Sequence, residues 1–247
     1  MSNKIIKGLI VTSMLATLTN ADFLGAQIGY SAWNAKTTGD IRKGGDSISL
    51  ENDLGLVSQT NGFYYASFDH PLPFIPNIKL QQTNYSTNGN STISKNLTFA
   101  GTTYNINDTL KTDLTLNQTD LTMYYRILDN WINIDLGLTI KNVDGNLKIK
   151  TTLKNSDESF DFVVPLVYSK LQLDLPFSGL STEAEINFIS YAGNTFSDIK
   201  AGLLYEFDSG IGINLGYRSE KLTIDDINDV YGTINNHGAY AGVFYHF

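Results

Sequence analysis

The last ten residues of the chain, Gly238 to Phe247, would divide cleanly between the two faces of a β-strand. One face would carry only apolar side chains, namely Ala239, Ala241, Val243, Tyr245 and Phe247. A tilted strand of this length crosses the hydrocarbon layer of a bilayer, but only within a closed barrel, because lipid offers no hydrogen-bond partner to an open edge. The ending therefore predicts a membrane-spanning strand. An amphipathic edge strand of a soluble protein is the alternative.

The beginning of the chain reads as a secretory signal peptide. Lys4 and Lys7 precede a short apolar stretch, which ends at the small-residue sequence Thr19-Asn20-Ala21. This pattern predicts cleavage between Ala21 and Asp22, so that residues 1–21 are removed and residues 22–247 form one barrel domain. The apolar stretch is too short for a transmembrane helix, and no later segment offers eighteen unbroken apolar residues. A membrane form of this chain would therefore cross as strands.

Charge and cysteine content narrow the class of protein and the partners that the chain could have. Leaving out Lys4 and Lys7 reduces 17 basic residues to 15, against 25 acidic residues, so the mature chain has a net charge of −10. Such a balance argues against nucleic acid as a partner, since nucleic acid requires basic patches. The chain has no cysteine. An exported protein of this kind is held by its hydrogen-bond ladder and core alone.

Period-two alternation of apolar and polar residues recurs along the chain, most clearly from Ile132 to Lys141. Ten such segments lie near residues 24–32, 62–70, 77–80, 119–127, 132–141, 163–173, 184–188, 199–207, 211–217 and 238–247. The third has the weakest pattern. Repetition of this alternation is the signature of a transmembrane antiparallel β-barrel, so the sequence predicts an all-β barrel of about ten strands. Eight or twelve strands are alternatives, as is a soluble lipocalin-like barrel, which would need an apolar interior.

The connections alternate in length. Short turns rich in Pro, Gly, Asn and Asp are predicted at 70–76, 128–131, 176–179 and 208–210, and another short connection at 193–197. Longer polar stretches lie at 34–61, 87–113, 142–160 and 223–236. Outer-membrane barrels have short periplasmic turns and long extracellular loops. The pattern therefore predicts that both termini are periplasmic.

Several segments carry a more specific resemblance. They are His70-Pro-Leu-Pro-Phe-Ile-Pro-Asn-Ile-Lys-Leu80, Tyr124-Tyr-Arg-Ile-Leu-Asp-Asn-Trp131, Leu173-Asp-Leu-Pro-Phe-Ser-Gly179, Tyr205-Glu-Phe-Asp208 and the final Phe-Tyr-His-Phe. Together they resemble a family of small proteobacterial outer-membrane β-barrel proteins whose function is not established. The resemblance implies a Gram-negative outer-membrane location, with membrane lipid and lipopolysaccharide as surroundings. It also implies that the barrel-assembly machinery reads Val243, Tyr245 and Phe247, and it implies no activity.

Charged residues are predicted on the inward faces of the strands. They are Lys79, Arg126, Lys141, Lys170, Lys200 and Arg218, with Asp69, Asp120, Asp135, Asp174, Glu183, Glu185, Glu206 and Glu220. A barrel of this size is nearly filled by its side chains, and charges removed from bulk water must pair. We therefore expect an ion-pair network that largely plugs the lumen, in which Lys170 meets Glu183 or Glu185. A narrow ion or solute path lined by the same charges is the alternative.

His237 is the histidine expected at the extracellular rim. Outer-membrane proteases of the omptin family use Asp and His there, and lipid A-modifying enzymes use Ser and His. His237 is expected near an acidic cluster of Asp225, Asp226 and Asp229, and the rim candidates beside it are Ser190, Ser219 and Asp226. No motif of either family is present, and no acidic spacing matches a Ca²⁺ loop. We therefore predict no catalytic, cofactor-binding or metal-binding residues.

Aromatic residues are expected in two interfacial girdles, with Tyr30, Trp33 and Tyr64 at the outer one and Trp131 at the periplasmic one. Taken together, the sequence predicts a monomeric, non-enzymatic barrel with a structural or surface-interaction role and a largely plugged lumen. A narrow small-solute channel or uptake protein, and a rim enzyme acting on lipid A or peptides, are the alternatives.

Overall fold

A computed structural model of the protein describes residues 25–227 and 229–247, and these residues form strands, turns and irregular connections. The predicted signal peptide and its cleavage site at Ala21 and Asp22 lie outside the described residues. Within the described part of the chain, no helix has the length and apolar character needed to cross a membrane.

Fourteen strands are present in the described residues. They are β1 (Gly25–Lys43), β2 (Ile48–Ser49), β3 (Gln59–Asp69), β4 (Asn77–Asn84), β5 (Ser86–Thr92), β6 (Leu97–Phe99), β7 (Thr102–Tyr104), β8 (Thr109–Asp129), β9 (Ile132–Lys150), β10 (Asn155–Asp174), β11 (Leu180–Tyr191), β12 (Asn194–Glu206), β13 (Ile211–Ile227) and β14 (Val230–His246).

Ten of these strands close into one antiparallel barrel. The order around the wall is β1, β3, β4, β8, β9, β10, β11, β12, β13 and β14, and β14 pairs back onto β1. β5 continues the line of β4 along β8. The prediction of a ten-stranded antiparallel barrel is therefore confirmed, and the weakest predicted segment is the paired strand β4.

An apolar belt surrounds the half of the barrel that holds both chain ends, which we call the terminal half. Among the exposed large apolar side chains of the belt are Ile28, Tyr30, Tyr64, Leu80, Leu136, Leu138, Ile140, Val163, Val167, Ile186, Phe188, Ile199, Leu203, Leu215, Tyr217 and Val243. The inner face at the same level carries buried polar side chains such as Ser31, Thr139 and Asn187. This pattern, apolar outside and polar inside, is that of a barrel surrounded by lipid.

The polar stretches that alternation alone assigns to long loops are in large part strand. β9 continues to Lys150 and β10 begins at Asn155, and only a few residues separate β13 from β14. In this far half the alternation is inverted, with Leu147 and Ile149 buried inside. The inversion follows from the surroundings, because a wall that faces water is stable with its apolar face turned inward. The pattern of outward apolar residues therefore ends before the strands themselves end.

The far half of the barrel is filled by an apolar core. Short strand β2, the turn that follows it and the β6–β7 hairpin contribute buried side chains to this core, including Ile48, Leu50, Leu97, Phe99 and Tyr104. The Tyr104 hydroxyl donates to the Ile149 carbonyl oxygen at 3.1 Å and lies 2.7 Å from the Ser156 hydroxyl. Burial raises the pKa of Tyr104 above its ordinary value. The opening of the barrel in its far half is therefore filled by packed side chains.

Inward aromatic rings lie over glycines of neighbouring strands, and this packing gives a first test. A Cβ atom on Gly216 would lie 2.4 Å from the Ala201 carbonyl oxygen and 2.6 Å from the Tyr240 ring. We expect Gly216→Ala to lower the free energy of unfolding by about 1–3 kcal/mol, because overpacking forces the wall to shift. Denaturant titration in lipid vesicles measures this change. Gly25→Ala is the control, since its Cβ would meet nothing closer than 3.5 Å, and an equal loss there would contradict the packing explanation.

Candidate functional site

The centre of the lumen is crossed by a layer of fully buried charges. Arg218 of β13 donates from Nε to Oδ1 of Asp198 at 2.9 Å and from Nη2 to Oδ2 at 2.7 Å. Lys141 of β9 donates to Asp120 at 2.8 Å and approaches the same Asp198 at 3.4 Å. Asp198 therefore joins the two cations. Glu220 completes the layer, 3.5 Å from Arg218.

A second group of charges lies next to this layer. Glu185 of β11 accepts from Lys79 at 2.5 Å and from Lys200 at 2.8 Å. Lys200 also donates to the side-chain oxygen of Gln81 at 2.7 Å. Gln81 in turn lies beside Asp120, at 3.4 Å. Gln81 therefore connects the second group to the central layer, and Lys79, Lys141, Lys200 and Arg218 balance Asp120, Glu185, Asp198 and Glu220 in charge.

The terminal end of the lumen holds more open pairs. Arg126 donates to Asp135 at 3.0 Å and to Asp69 at 3.1 Å. Lys170 lies 3.5 Å from Glu183 on the next strand, and Glu206 lies 3.5 Å from His246. These side chains line a cavity of about 430 Å³ that includes turn residues of the terminal end, such as Asn130 and Gly179. Neither Lys141 nor Arg218 lines this cavity. The cavity therefore ends on the terminal side of the buried charge layer.

Of the twelve lumen charges named in the sequence-derived site, eleven lie in at least one ion pair of the structure, and Glu206 lies 3.5 Å from the His246 imidazole. The twelve charges are Lys79, Asp120, Arg126, Asp135, Lys141, Lys170, Glu183, Glu185, Lys200, Glu206, Arg218 and Glu220. Sequence reasoning missed Asp198, the residue that joins the layer, because it placed residues 193–197 in a loop and began the strand at Ile199. Alternation would have found it, since the residue before an outward Ile199 faces inward.

Trp33 lies inside the barrel, and its predicted place in the outer aromatic girdle is wrong. Its side chain is 0% exposed. The Arg218 guanidinium stands 4.7 Å from the centre of the Trp33 ring, and the indole Nε1 donates to the Gly238 carbonyl oxygen at 3.2 Å. The residue belongs to the polar side of β1 by register, and a cation held over the ring stabilises it there. Tyr30 and Tyr64, by contrast, are exposed on the outer face.

The structure keeps Ser219 beside His237 but separates His237 from the acidic residues that the sequence groups with it at the rim. His237 pairs with Ser219 across β13 and β14, and Asp225 lies six residues farther along β13, a separation of about 20 Å along a strand. His237 also lies on the opposite face of β14 from the buried Asn236. The predicted proximity of His237 to this acidic cluster is therefore wrong. Among the described residues, no group of three or more His, Cys, Asp or Glu side chains could hold a metal ion.

The carboxy-terminal residues close the barrel. Val243 and Tyr245 face outward on β14. The Phe247 backbone N–H donates to the Ala26 carbonyl oxygen at 2.9 Å, and its ring packs edge-on against Tyr245 with centroids 4.6 Å apart. These contacts place the three residues of the predicted assembly signal at the lipid-facing seam between the first and last strands.

Comparisons with solved structures place this architecture among known barrels. The outer-membrane protease OmpT of Escherichia coli is 12% identical, with 92% of this chain and 98% of that chain covered and a TM-score of 0.50. The fold is that of an outer-membrane β-barrel. The translocator domain of the autotransporter NalP from Neisseria meningitidis is also similar, at 14% identity, coverage of 99% and 96%, and a TM-score of 0.45.

Ail, the attachment invasion locus protein of Yersinia pestis, is a further neighbour, at 12% identity, coverage of 90% and 99%, and a TM-score of 0.37. No protein-family model matches the chain, and no curated protein matches it. The likeness to OmpT shows the fold alone, and the role of the protein has to be argued from its own lumen and surface.

Proposed function

We propose that the protein is an integral outer-membrane barrel of a Gram-negative bacterium that provides no passage through its lumen and acts in a structural or surface-interaction role. The observation that carries this proposal is the central layer in which Lys141, Asp198 and Arg218 are fully buried. Charges removed from water remain stable only when they are paired in good geometry, and an ion path would have to break these pairs. The apolar core of the far half forms a second barrier beyond the layer.

The far half supports a role at the surface. It extends the barrel beyond the apolar belt as a packed body whose outer face carries exposed ion pairs such as Lys36 with Glu51, at 2.5 Å. Membrane lipid and lipopolysaccharide are the proposed surroundings, and the assembly machinery, through Val243, Tyr245 and Phe247, is the proposed folding partner. Since β14 pairs back onto β1, we propose a monomer. Membership of the family of small proteobacterial outer-membrane barrels is part of the same proposal.

Single-channel recording tests the closed lumen. We expect the refolded protein to produce no steady openings in a planar bilayer, because the buried charge layer and the apolar core both block the path. Heat-modified gel mobility verifies folding, and a porin added afterwards to the same bilayer verifies that the membrane reports openings. Steady openings of the unmodified protein would contradict the proposal, and a change in their ion selectivity in Asp120→Asn would establish a channel.

The cavity at the terminal end favours one alternative, a partial solute path entered from the periplasm. This cavity of about 430 Å³ lies within the range of small-molecule sites and is lined by both signs of charge, including Lys170 and Glu183. Steady openings in the same recording would show that this cavity continues through the barrel, whereas a silent bilayer would leave it as a blind cavity that can hold a solute but gives it no passage. The rim-enzyme alternative loses its Asp–His pair, because His237 and Asp225 lie far apart, and keeps only Ser219 opposite His237.

A further inference from the structure

The barrel wall has a lateral gap in its far half. Pairing between β10 and β11 ends at Val167 with Phe188, whereas β10 continues to Asn155 paired with β9 alone. The β11–β12 hairpin turns back at Tyr191, and β13 extends beyond its last pairing with β12, at Thr223, against β14 alone. Among the described residues, no strand completes the wall between the far parts of β10 and β13.

Pro165 stands where β10 becomes an edge. Proline has no N–H to donate and is confined within sheets to edges or bulges. Pro165 lies two residues above the last β10–β11 pair. The sequence of β10 is therefore suited to a strand whose far part is unpaired on one side.

An apolar pocket of about 520 Å³ lies behind the gap. Phe160, Phe162 and Val164 enter it from the inward side of β10, and Ile189 and Leu222 enter it from β11 and β13. Leu166, on the same inward face below the gap, is fully buried, but Phe160, Phe162 and Val164 are only half-buried. The missing wall is the reason for this difference. The volume lies within the range of small-molecule sites.

The mouth of the pocket borders the lipid-facing belt. Val167 and Phe188, the last pair below the gap, are 61% and 45% exposed on the outer face. Phe196 forms the floor and separates the pocket from Lys141, whose ammonium lies 5.4 Å from the ring centre. The rim is polar, with Lys43 paired to Glu158 at 2.5 Å. The pocket is thus apolar inside, polar at its rim and open next to the part of the wall that faces the acyl chains of the bilayer.

We propose that this pocket holds an acyl chain of a membrane lipid, which enters sideways between β10 and β13. A long alkyl chain matches an interior lined by Phe160, Phe162 and Val164, and lipid chains are the alkyl chains already present at the mouth. The polar rim at Lys43 and Glu158 suits the headgroup end of such a molecule. A free fatty acid offers the same alkyl chemistry, so the test includes an arm that distinguishes the two sources. The site is independent of the closed lumen, from which Phe196 separates it.

Photolabelling of the full protein in nanodiscs tests the site. The probe is a phospholipid with a diazirine at the end of one acyl chain, and mass spectrometry maps the labelled residues. We expect labels on the inward Phe160 and Phe162 as well as on the outward Val167 and Phe188. Labels confined to outward residues would overturn the proposal. In a second arm, a diazirine fatty acid is added to unlabelled nanodiscs, and inward labelling by that probe alone would overturn the assignment to a membrane lipid.

Val164→Trp fills the pocket, and Val167→Trp adds the same bulk on the lipid face. Each methylene excluded from an apolar site weakens binding about four-fold, so we expect inward labelling to fall about ten-fold or more in Val164→Trp and to stay unchanged in Val167→Trp. Unchanged inward labelling in a folded Val164→Trp protein would overturn the proposal. Heat-modified mobility verifies folding. If Val164→Trp does not fold, Ile189→Phe gives a smaller filling change with the same expected direction.

Discussion

Replacing Asp198 with asparagine is expected to lower the free energy of unfolding by about 3 kcal/mol or more. The Asp198 carboxylate accepts three close contacts from Arg218 and Lys141, both fully buried. Asparagine keeps the size of the side chain but removes its charge, so the balanced network would hold one excess positive charge away from water. Removing one partner of a buried ion pair is costly because the remaining charge keeps its desolvation penalty without its compensation. Denaturant titration of the refolded protein in vesicles gives the value.

Glu51→Gln is the matched control for this change. Glu51 pairs with Lys36 at 2.5 Å, but both side chains are more than 40% exposed, and exposed pairs contribute less than about 1 kcal/mol. A small loss of unfolding free energy in Glu51→Gln, beside a large loss in Asp198→Asn, would show that water is excluded from the central layer. Equal effects would mean that water reaches Asp198, and the closed-lumen proposal would then lose its physical basis.

Replacing Trp33 with alanine is expected to lower the free energy of unfolding by about 3–5 kcal/mol. The indole fills the space between Tyr85, 5.7 Å away by ring centroid, and the Arg218 guanidinium. Alanine would leave a cavity there and would remove the cation–π contact between the Trp33 ring and the Arg218 guanidinium inside the lumen. Trp131→Ala is the control, since Trp131 is 61% exposed at a turn and its removal leaves no internal cavity.

Fluorescence checks the position of Trp33 separately from stability. Trp33 and Trp131 are the two tryptophans of the chain, so Trp131→Phe isolates the emission of Trp33. We expect brominated lipids to quench the Trp33 emission weakly, because the ring lies inside the barrel. In the Trp33→Phe variant, which leaves only Trp131, we expect stronger quenching. Strong lipid quenching of Trp33 would instead place it in the outer girdle.

Much of the barrel could be predicted because side-chain direction in a strand depends on residue parity alone. Once Ile199 and Leu215 are assigned to the outer face, Lys200 and Arg218 must face inward, with no knowledge of the partner strands. The same parity predicted Lys170 near Glu183 or Glu185 on the next strand, and the structure pairs it with Glu183. Alternation failed where the surroundings change from lipid to water, since the far half of the wall has its apolar face inward, as Leu147 and Ile149 do.

The sequence by itself thus predicted about ten strands, their antiparallel closure into a barrel and most of the inward charges, Asp198 excepted. Only the tertiary structure decided which charges meet across the lumen. Lys79 reaches Glu185 over 106 residues of chain, and Gln118 reaches Glu220 over 102, although neither pair lies on neighbouring strands. Such contacts depend on the tilt and stagger with which the barrel closes, which no local pattern encodes. The lateral gap has the same origin, because it appears only when the short β11–β12 hairpin stands between two longer neighbours.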